Sequence, residues 1–487
     1  MTKWIDATVI TEGVEPFHGI RRVEVELLRH AVLRGGVKFL KFVNNEIFEV
    51  SEVQVVTFLE NISPSPSQSQ STPFELRGKK PLSFSLSTVA ARVHGYLQNR
   101  KGFWGTSAMV GALVTYHLIG LIRNAAGQAK QGFSELRTQI ARAITGYRSS
   151  NSLSTTGGLE ADVLHGIPTK RDFISASPIQ AHDFVITAGL LSKRIQIQAL
   201  HEHKLEVGFQ LEYFVHDTIP LLQPQWVFPD HRTLLAEEFG MIPWIANSLV
   251  FSTDHNAQLF SQYFQQNFVP LTMNQRIVPL ATELSFDPKE FSTNNRQDAD
   301  KFYFLTVSTI EKRKNHRLIV DAIKNLRTNH PELRLPKFVF AGRVGWGVQD
   351  LIHDLNNDPC YWQNGQALVE IVEGLDDQSI GSLYTSALAT IFPSFHEGWG
   401  MPVSESLALG VPTFASDDLN VSIASQGCAQ FFKADNPSDL AHKLFSFITD
   451  PTEQAKMLQL AGEFQTRTWF QYSEEVLYPD PPAGRTP

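Results

Sequence analysis

The stretch "FHEGWGMPVSESLALGVPTFASD", residues 395–417, decides the fold. The apolar run before it, "LATIFPS" (388–394), has the length and composition of a buried strand. "FHEGWGM" is then the loop at that strand's carboxyl end. Pro402 is expected at the first helical position, where its missing N–H costs nothing. "VSESLAL" continues as a short helix stopped at Gly410, and "VPTFAS" (411–416) is the next strand. Strand, loop, helix and strand in such short compass are the repeating unit of a parallel sheet. Gly398 and Gly400 let the main chain approach a ligand, and a helix start adds partial positive charge, which together make an anion site of the phosphate type. Glu397 and Glu405 cannot ligate a phosphate. As hydrogen-bond acceptors they suit the hydroxyls of a sugar or a ribose on either side of a diphosphate. The plainer alternative is that Glu405 only complements the helix dipole and Glu397 only ties down a loop.

Outward from this unit the pattern repeats. "KFYFLTVST" (301–309), "KFVFAG" (337–342) and "LVEIVEG" (368–374) are strands, and "HRLIVDAIKNL" (316–326) is a helix. An earlier series holds "WIDATVI" (4–10), the helix "RRVEVELLRHAVLRG" stopped at Gly35, the strands "VKFLKFV" and "EIFEVS", then "DFVITAG" (183–189), "QLEYFVHD" (210–217), "WIANSLVFST" (244–253) and "QRIVPLATE" (275–283). The polar, aperiodic "LSFDPKEFSTNNRQDAD" (284–300) is the linker. Two such series predict an α/β protein of two doubly wound, Rossmann-like domains. Open parallel sheets bind ligands outside the carboxyl ends of their strands, so the loops there are the place for chemistry.

At 487 residues the chain exceeds one ordinary core, and two domains are expected. The formal net charge of −8 argues against nucleic acid as a partner. Two cysteines, Cys360 and Cys428, make no disulfide framework and favour a reducing compartment. The N-terminus carries no charged-then-apolar signal pattern, so a cytoplasmic location is expected. "SPSPSQSQSTP" (63–73) is low-complexity, and a mobile segment is expected over 61–80. From Leu76 to Ser134 there is no acidic residue, while Arg77, Lys79, Lys80, Arg92, Arg100, Lys101, Arg123 and Lys130 are basic. Inside lies the uncharged "FWGTSAMVGALVTYHLIGLI" (103–122), open to three readings: a spanning helix, an interfacial element, or ordinary packing. A basic, apolar insert at about 76–148 suits peripheral contact with an anionic membrane at the cytoplasmic face.

The segment from Glu397 to Pro412 resembles the E-x7-E signature of retaining glycosyltransferases of family 4, which have the GT-B fold. Acid, Gly, aromatic, Gly, apolar residue, Pro and second acid are Glu397, Gly398, Trp399, Gly400, Met401, Pro402 and Glu405. The resemblance implies that Glu397 holds donor-sugar hydroxyls, that the N–H groups of Gly398, Trp399, Gly400 and Met401 meet sugar and phosphate, and that Glu405 binds the ribose. "LTVSTIEKRKNH" (305–316) is similar to the family's first strand of the second domain. It implies that Lys314 and Arg313 neutralise the departing diphosphate; Thr309 stands where many members have Arg. By the same resemblance, Gly342 and Arg343 in "KFVFAGRVGWGVQDL" lie beside the nucleotide, and Val372 in "IVEGLDD" belongs to the segment that meets the base. In the first domain, "EPFHGIRRVEVELL" (15–28) resembles the family's opening of helix one, with Gly19 and Arg22 facing the phosphates. "FVHDTIPLLQP" (214–224) resembles its His-Asp loop, with His216 toward the donor sugar and Asp217 toward the acceptor or its own loop. Asn247, Ser248 and Glu283 read as structural.

The GT-B resemblance implies an acceptor-binding domain over 1–285 and a nucleotide-sugar-binding domain over 286–465, facing each other across a cleft, with a crossover segment over 466–487. It implies a nucleotide-sugar donor, a saccharide or lipid-linked saccharide acceptor, and no cofactor or metal. "GIRRVE", "VHDTIP" and "STIEKRKNH" look most like bacterial mannosyltransferases of polysaccharide assembly, which puts GDP-mannose first and UDP- or dTDP-sugars next. Two rivals stand: a non-catalytic binding module that keeps this fold as scaffold or glycan reader, and a nucleotide-sugar-modifying or nicotinamide enzyme on the same layered fold. The glycines of 342–347 run in the reverse order of a dinucleotide fingerprint, which disfavours the nicotinamide reading. The triplet Asp298–Asp300 is a D-x-D motif, but it lies in the linker before a strand.

Overall fold

The computed structural model describes residues 2–11, 20–43, 46–62, 178–188, 194–228, 232–267, 269, 271–284 and 303–479. Gly19, the insert at 76–148 with its apolar run 103–122, the low-complexity stretch from 63, and the linker over 286–300 with Asp298–Asp300 lie outside the described residues. The chain divides into two compact units: Met1–Ser63, Lys170–Tyr263 and Thr272–Pro487 make one, and Pro64–Thr169 with Phe264–Leu271 the other. The first unit holds two sheet-bearing lobes.

The first lobe is built on β1 (Lys3–Asp6), α1 (Ile20–Arg34), β2 (Lys38–Val43), β3 (Glu46–Val50), α2 (Glu52–Ile62), β4 (Phe184–Thr187), α3 (Arg194–Val207), β5 (Gln210–Val215), α4 (Ile219–Leu222), α5 (Arg232–Ile245), β6 (Ser248–Phe251), α6 (Asp254–Gln266) and β7 (Asn274–Ile277). Its strands run in the order β3-β2-β1-β4-β5-β6-β7. All neighbours are parallel except the β2–β3 hairpin. The second lobe follows with β8 (Tyr303–Val307), α7 (His316–Asn329), β9 (Lys337–Ala341), α8 (Gln349–Asn357), β10 (Trp362–Gln363), β11 (Gln366–Ala367), β12 (Val369–Val372), α9 (Asp377–Ser386), β13 (Ala389–Phe392), α10 (Met401–Ala408), β14 (Thr413–Ser416), α11 (Leu419–Ala424), β15 (Gln430–Phe432), α12 (Pro437–Thr449) and α13 (Pro451–Gly462). Its main sheet is wholly parallel, in the order β12-β9-β8-β13-β14-β15. Both sheets reverse direction of winding beside their first strand, between β1 and β4 and between β8 and β13. Crevices open at such switch points, at the strands' carboxyl ends.

The lobes fold as their sequences dictate. In α1 the buried Val23, Leu27, Leu28 and Ala31 recur at helical spacing and face the sheet, and Gly35 ends the helix at φ 73°. The second lobe's core joins Phe304 and Phe338, stacked at 5.2 Å, to Phe414 and Phe447. A last helix, α14 (Trp469–Leu477), opens on a capping box between Thr468 and Gln471. Its Trp469, Tyr472, Val476 and Leu477 are buried with Val23 and Leu27 of α1, in the first lobe's core.

Four local expectations need correction. "WIDATVI" is a strand only to Asp6; the Asp6 carboxylate accepts from Thr8 N at 2.9 Å, and Thr8–Thr11 coils into a 3-10 turn. The β10–β11 hairpin was not expected, although its Asn364-Gly365 turn, with φ of 53° and 76°, is the two-residue hairpin signal. The edge strand β15 was missed because three residues carry no period. Pro402 is the second residue of α10, after Met401, because Gly400 is the cap; its absent N–H still falls among the unpaired donors of the first turn.

Candidate active site

The loop after β13 and the turn after β8 meet at the second lobe's switch point. Asn315, in the left-handed region at φ 55°, ends the 312–314 turn and bonds through Nδ2 to the carbonyls of Pro393 at 3.0 Å and Ala434 at 2.8 Å. Phe395 N donates to Arg313 O at 3.0 Å, and Arg313 Nη1 donates to His396 O at 2.8 Å. These bonds carry Glu397 between two cations: Oε1 lies 2.6 Å from Lys314 Nζ and Oε2 lies 2.9 Å from Arg313 Nη1. Burial opposes the Glu397 charge, but Arg313 and Lys314 outweigh it and pull the carboxyl down to about 2. Burial lowers Lys314, with Glu397 working against it. Burial also opposes the Arg313 charge, but Glu397 and Glu311 hold it well above its usual range. Glu397 and Arg313 therefore stay charged throughout the physiological range.

Two glycines in this loop are required by geometry. A Cβ on Gly398 would stand 2.2 Å from the carbonyl oxygen of His216 and 2.7 Å from Asp217 Cβ, so the two lobes touch main chain to main chain here. Gly400 has φ 101° and caps α10. The N–H groups of Gly398, Trp399, Gly400 and Met401 have no acceptor among the described residues. Four main-chain donors at a helix start thus remain available to an anion.

One turn along α10, Glu405 is gripped from both lobes. Oε1 accepts from Arg22 Nη1 at 2.8 Å and Oε2 from Tyr384 OH at 3.1 Å, while Arg22 Nη2 reaches Asp377 Oδ2 at 2.9 Å. Burial opposes the Arg22 charge, but Glu405 and Asp377 raise its affinity for its proton. Burial, reinforced by Glu405, keeps the Tyr384 hydroxyl protonated.

The first lobe adds His216 and Asp217. His216 Nε2 bonds to the carbonyl of Ala188, so it carries the proton, and burial lowers the ring's affinity for a second one. Asp217 Oδ1 accepts from Ile219 N at 2.9 Å and opens α4; burial raises its carboxyl against the pull of Arg313.

The Gly342–Gly347 loop is packed against the turn that follows β8. A Cβ on Gly342 would lie 2.0 Å from Ser308 O, so its smallness serves packing against β8. Gly342 N donates to Val372 O at 2.9 Å, Ile310 N to Arg343 O at 2.9 Å, and Gly345 N to Ile310 O at 2.8 Å. The loop is thereby zipped to the 308–312 turn, with Thr309 Cγ2 2.9 Å from the position of a Cβ on Gly345. The Arg343 side chain is exposed. Tyr384, Asp377 and the amide pair Asn256 and Asn420, described below, were not anticipated. Tyr384 sits at helical spacing among apolar residues and resembles core; the asparagines lie in polar helix starts without a motif.

Residues 287–463 match the family described as "Glycosyl transferases group 1". The serotype-specific mannosyltransferase WbdA of Escherichia coli is 26% identical over 249 residues, 47% of this chain, which spans 28% of that protein's length. A D-inositol 3-phosphate glycosyltransferase of Nocardiopsis dassonvillei is 25% identical over 48% of this chain and 55% of its own. The crystal structure of Anabaena HepE in complex with UDP and glucose aligns with a TM-score of 0.51 and 13% identity, over 98% of each chain. The paired doubly wound sheets are thus those of a GT-B fold, and residues 287–463 match the group 1 glycosyl transferases.

Proposed function

We propose that the chain is a retaining glycosyltransferase of family 4 that moves mannose from GDP-mannose onto a glycan or lipid-linked saccharide in cell-surface polysaccharide assembly. The observation that carries the reading is the ion triplet of Glu397, Lys314 and Arg313 set beside the unpaired N–H groups of 398–401. The resemblance to mannosyltransferases supports the sugar; a UDP- or dTDP-sugar is the alternative donor.

In this mechanism the donor diphosphate enters as the stronger anion for Lys314 and Arg313. It takes over the cations, and Glu397 turns its acceptor oxygens to the sugar hydroxyls. Glu405, beside the Arg22 guanidinium, holds the ribose. As the bond from C1 to the diphosphate oxygen breaks, negative charge grows on that oxygen. Preorganised cations and main-chain dipoles, sheltered from water, stabilise it. The acceptor hydroxyl attacks from the same face, its proton passes to the departing phosphate oxygen, and the configuration at C1 is kept. Neutral His216 lines the sugar's side of the cleft, and Asp217 the acceptor's. Charge neutralisation by side chains and amides replaces a metal in this proposal.

The test is a donor screen with GDP-mannose, UDP- and dTDP-sugars and NAD(H), scored by binding and by transfer. Transfer from one donor, lowered about 100- to 1000-fold in Lys314→Ala without loss of folding, is expected. Binding without transfer would favour the glycan-reader alternative, and binding of NAD(H) alone would overturn the proposal.

A further inference from the structure

Two buried asparagines, one from each lobe, hold the loop that carries Glu397. Asn256, in the first turn of α6, is fully buried. Its Nδ2 donates to Gly398 O at 2.7 Å, and Ser252 Oγ donates to the same carbonyl at 3.1 Å. Asn420, in the first turn of α11, donates through Nδ2 to Glu397 O at 2.8 Å and to Asn256 Oδ1 at 2.9 Å. Thr253 Oγ1 donates to Asn420 Oδ1 at 2.7 Å and accepts from Asn256 N at 3.0 Å. The ring fixes both amide orientations: a flipped Asn256 would set its oxygen against the Gly398 carbonyl.

Two consecutive carbonyls are pinned in this way. A trans peptide is planar, with C=O and N–H on opposite edges. Holding the carbonyls of Glu397 and Gly398 toward the asparagines therefore aims the N–H groups of Gly398 and Trp399 the other way. Those are two of the donors without an acceptor among the described residues. The members differ in what lobe opening does to them. Asn420 and Glu397 share a lobe and stay bonded. Asn256 and Ser252 belong to the other lobe and leave Gly398 when the lobes part.

We propose that Asn256 is a positioning residue that makes the Gly398–Trp399 peptide a diphosphate-binding element only when the lobes are closed. This deepens the transferase reading and rests on it. Closure then completes the anion site at the moment water is excluded, so the diphosphate meets aligned amides in the closed complex and a looser main chain in the open one.

The test compares wild type with Asn256→Asp, which keeps shape and the acceptor for Asn420 but loses the donor to Gly398, and with Asn256→Ala. The expected result is a fall in kcat of about 10- to 100-fold with the Kd for GDP changed less than about threefold, because open-state binding relies on the second lobe. Hydrogen exchange in the peptide covering 397–403 should slow on addition of GDP or UDP in wild type and not in either variant. Parallel losses in kcat, GDP affinity and thermal stability, or kcat within twofold of wild type, would overturn the positioning role. Absence of nucleotide-induced protection in wild type would overturn the diphosphate assignment. Protection without transfer from any donor would count against the transferase reading and leave the closure-dependent amide element standing as a binding device.

Discussion

Replacing Glu397 by Gln removes one charge and almost no volume from the centre of the site. Glu397, Lys314 and Arg313 are 9%, 14% and 18% exposed, so solvent screening is weak. The carboxyl is displaced from 4.5 to about 2, a difference near 2.5 that corresponds to about 3 kcal/mol of folding free energy. Two charge-assisted hydrogen bonds, less the cost of burying the ions, give a similar figure. The sign follows from the direction. A depressed carboxyl stabilises the folded state fully above its unfolded value and loses that contribution as pH falls through the folded one. The gap between wild type and Glu397→Gln should therefore be about 3 kcal/mol at pH 7, shrink below pH 4.5 and vanish near pH 2. For a lobe of this size that is a drop of roughly 6–12 °C in Tm at neutral pH. The freed cations should also bind a diphosphate more tightly, so GDP should raise the variant's Tm more than the wild type's. Calorimetry at pH 7 and pH 3.5, with and without GDP, reads all three. A variant as stable as wild type at pH 7, with an unchanged response to GDP, would refute the electrostatic account.

Gly398→Ala places a methyl group 2.2 Å from the His216 carbonyl, so the lobes cannot approach; transfer should fall at least about 100-fold with the second lobe's Tm nearly unchanged. Arg22→Ala leaves Glu405 and Asp377 facing each other and should weaken the closed form by roughly 3 kcal/mol, seen as a larger radius of gyration in X-ray scattering. Deleting 76–148 should abolish co-sedimentation with phosphatidylglycerol vesicles, each basic residue near an anionic surface being worth about 1 kcal/mol; equal binding would remove the membrane proposal.

The doubly wound pattern was legible because buried parallel strands leave long apolar runs, and "LATIFPS" and "KFVFAG" became β13 and β9. What failed was short or governed by a single side chain: the Asp6 carboxylate that ends β1, the three residues of β15. At the site, the motif spacing made Lys314, Arg313 and Glu397 neighbours in advance, since each follows a strand at the switch point. The grip of Arg22 on Glu405 and the asparagine ring could not be read, because such bonds join residues 383 and 164 positions apart. Gly342 was legible as a glycine after a strand, but its packing partner was not. The resemblance sets this glycine beside the nucleotide, and the structure adds a packing reason for it that no motif shows, the Ser308 carbonyl occupying the space of a Cβ. Among the described residues no helix is long and apolar enough to cross a membrane.

The helix Trp469–Leu477 completes a core begun by residues made hundreds of codons earlier. Trp469 N reaches Glu283 Oε2 at 2.9 Å, and Tyr478 OH reaches Gly35 O at 2.5 Å. On the ribosome, the segment 303–462 can finish its own interior while the amino-terminal half still lacks four of its buried side chains. A chain stopped at 465 would leave that half with an open apolar groove, prone to aggregation. Conversely, a permuted chain whose new start falls within 286–300 would make the closing helix just before the rest of the first lobe, so that each interior comes in one continuous run.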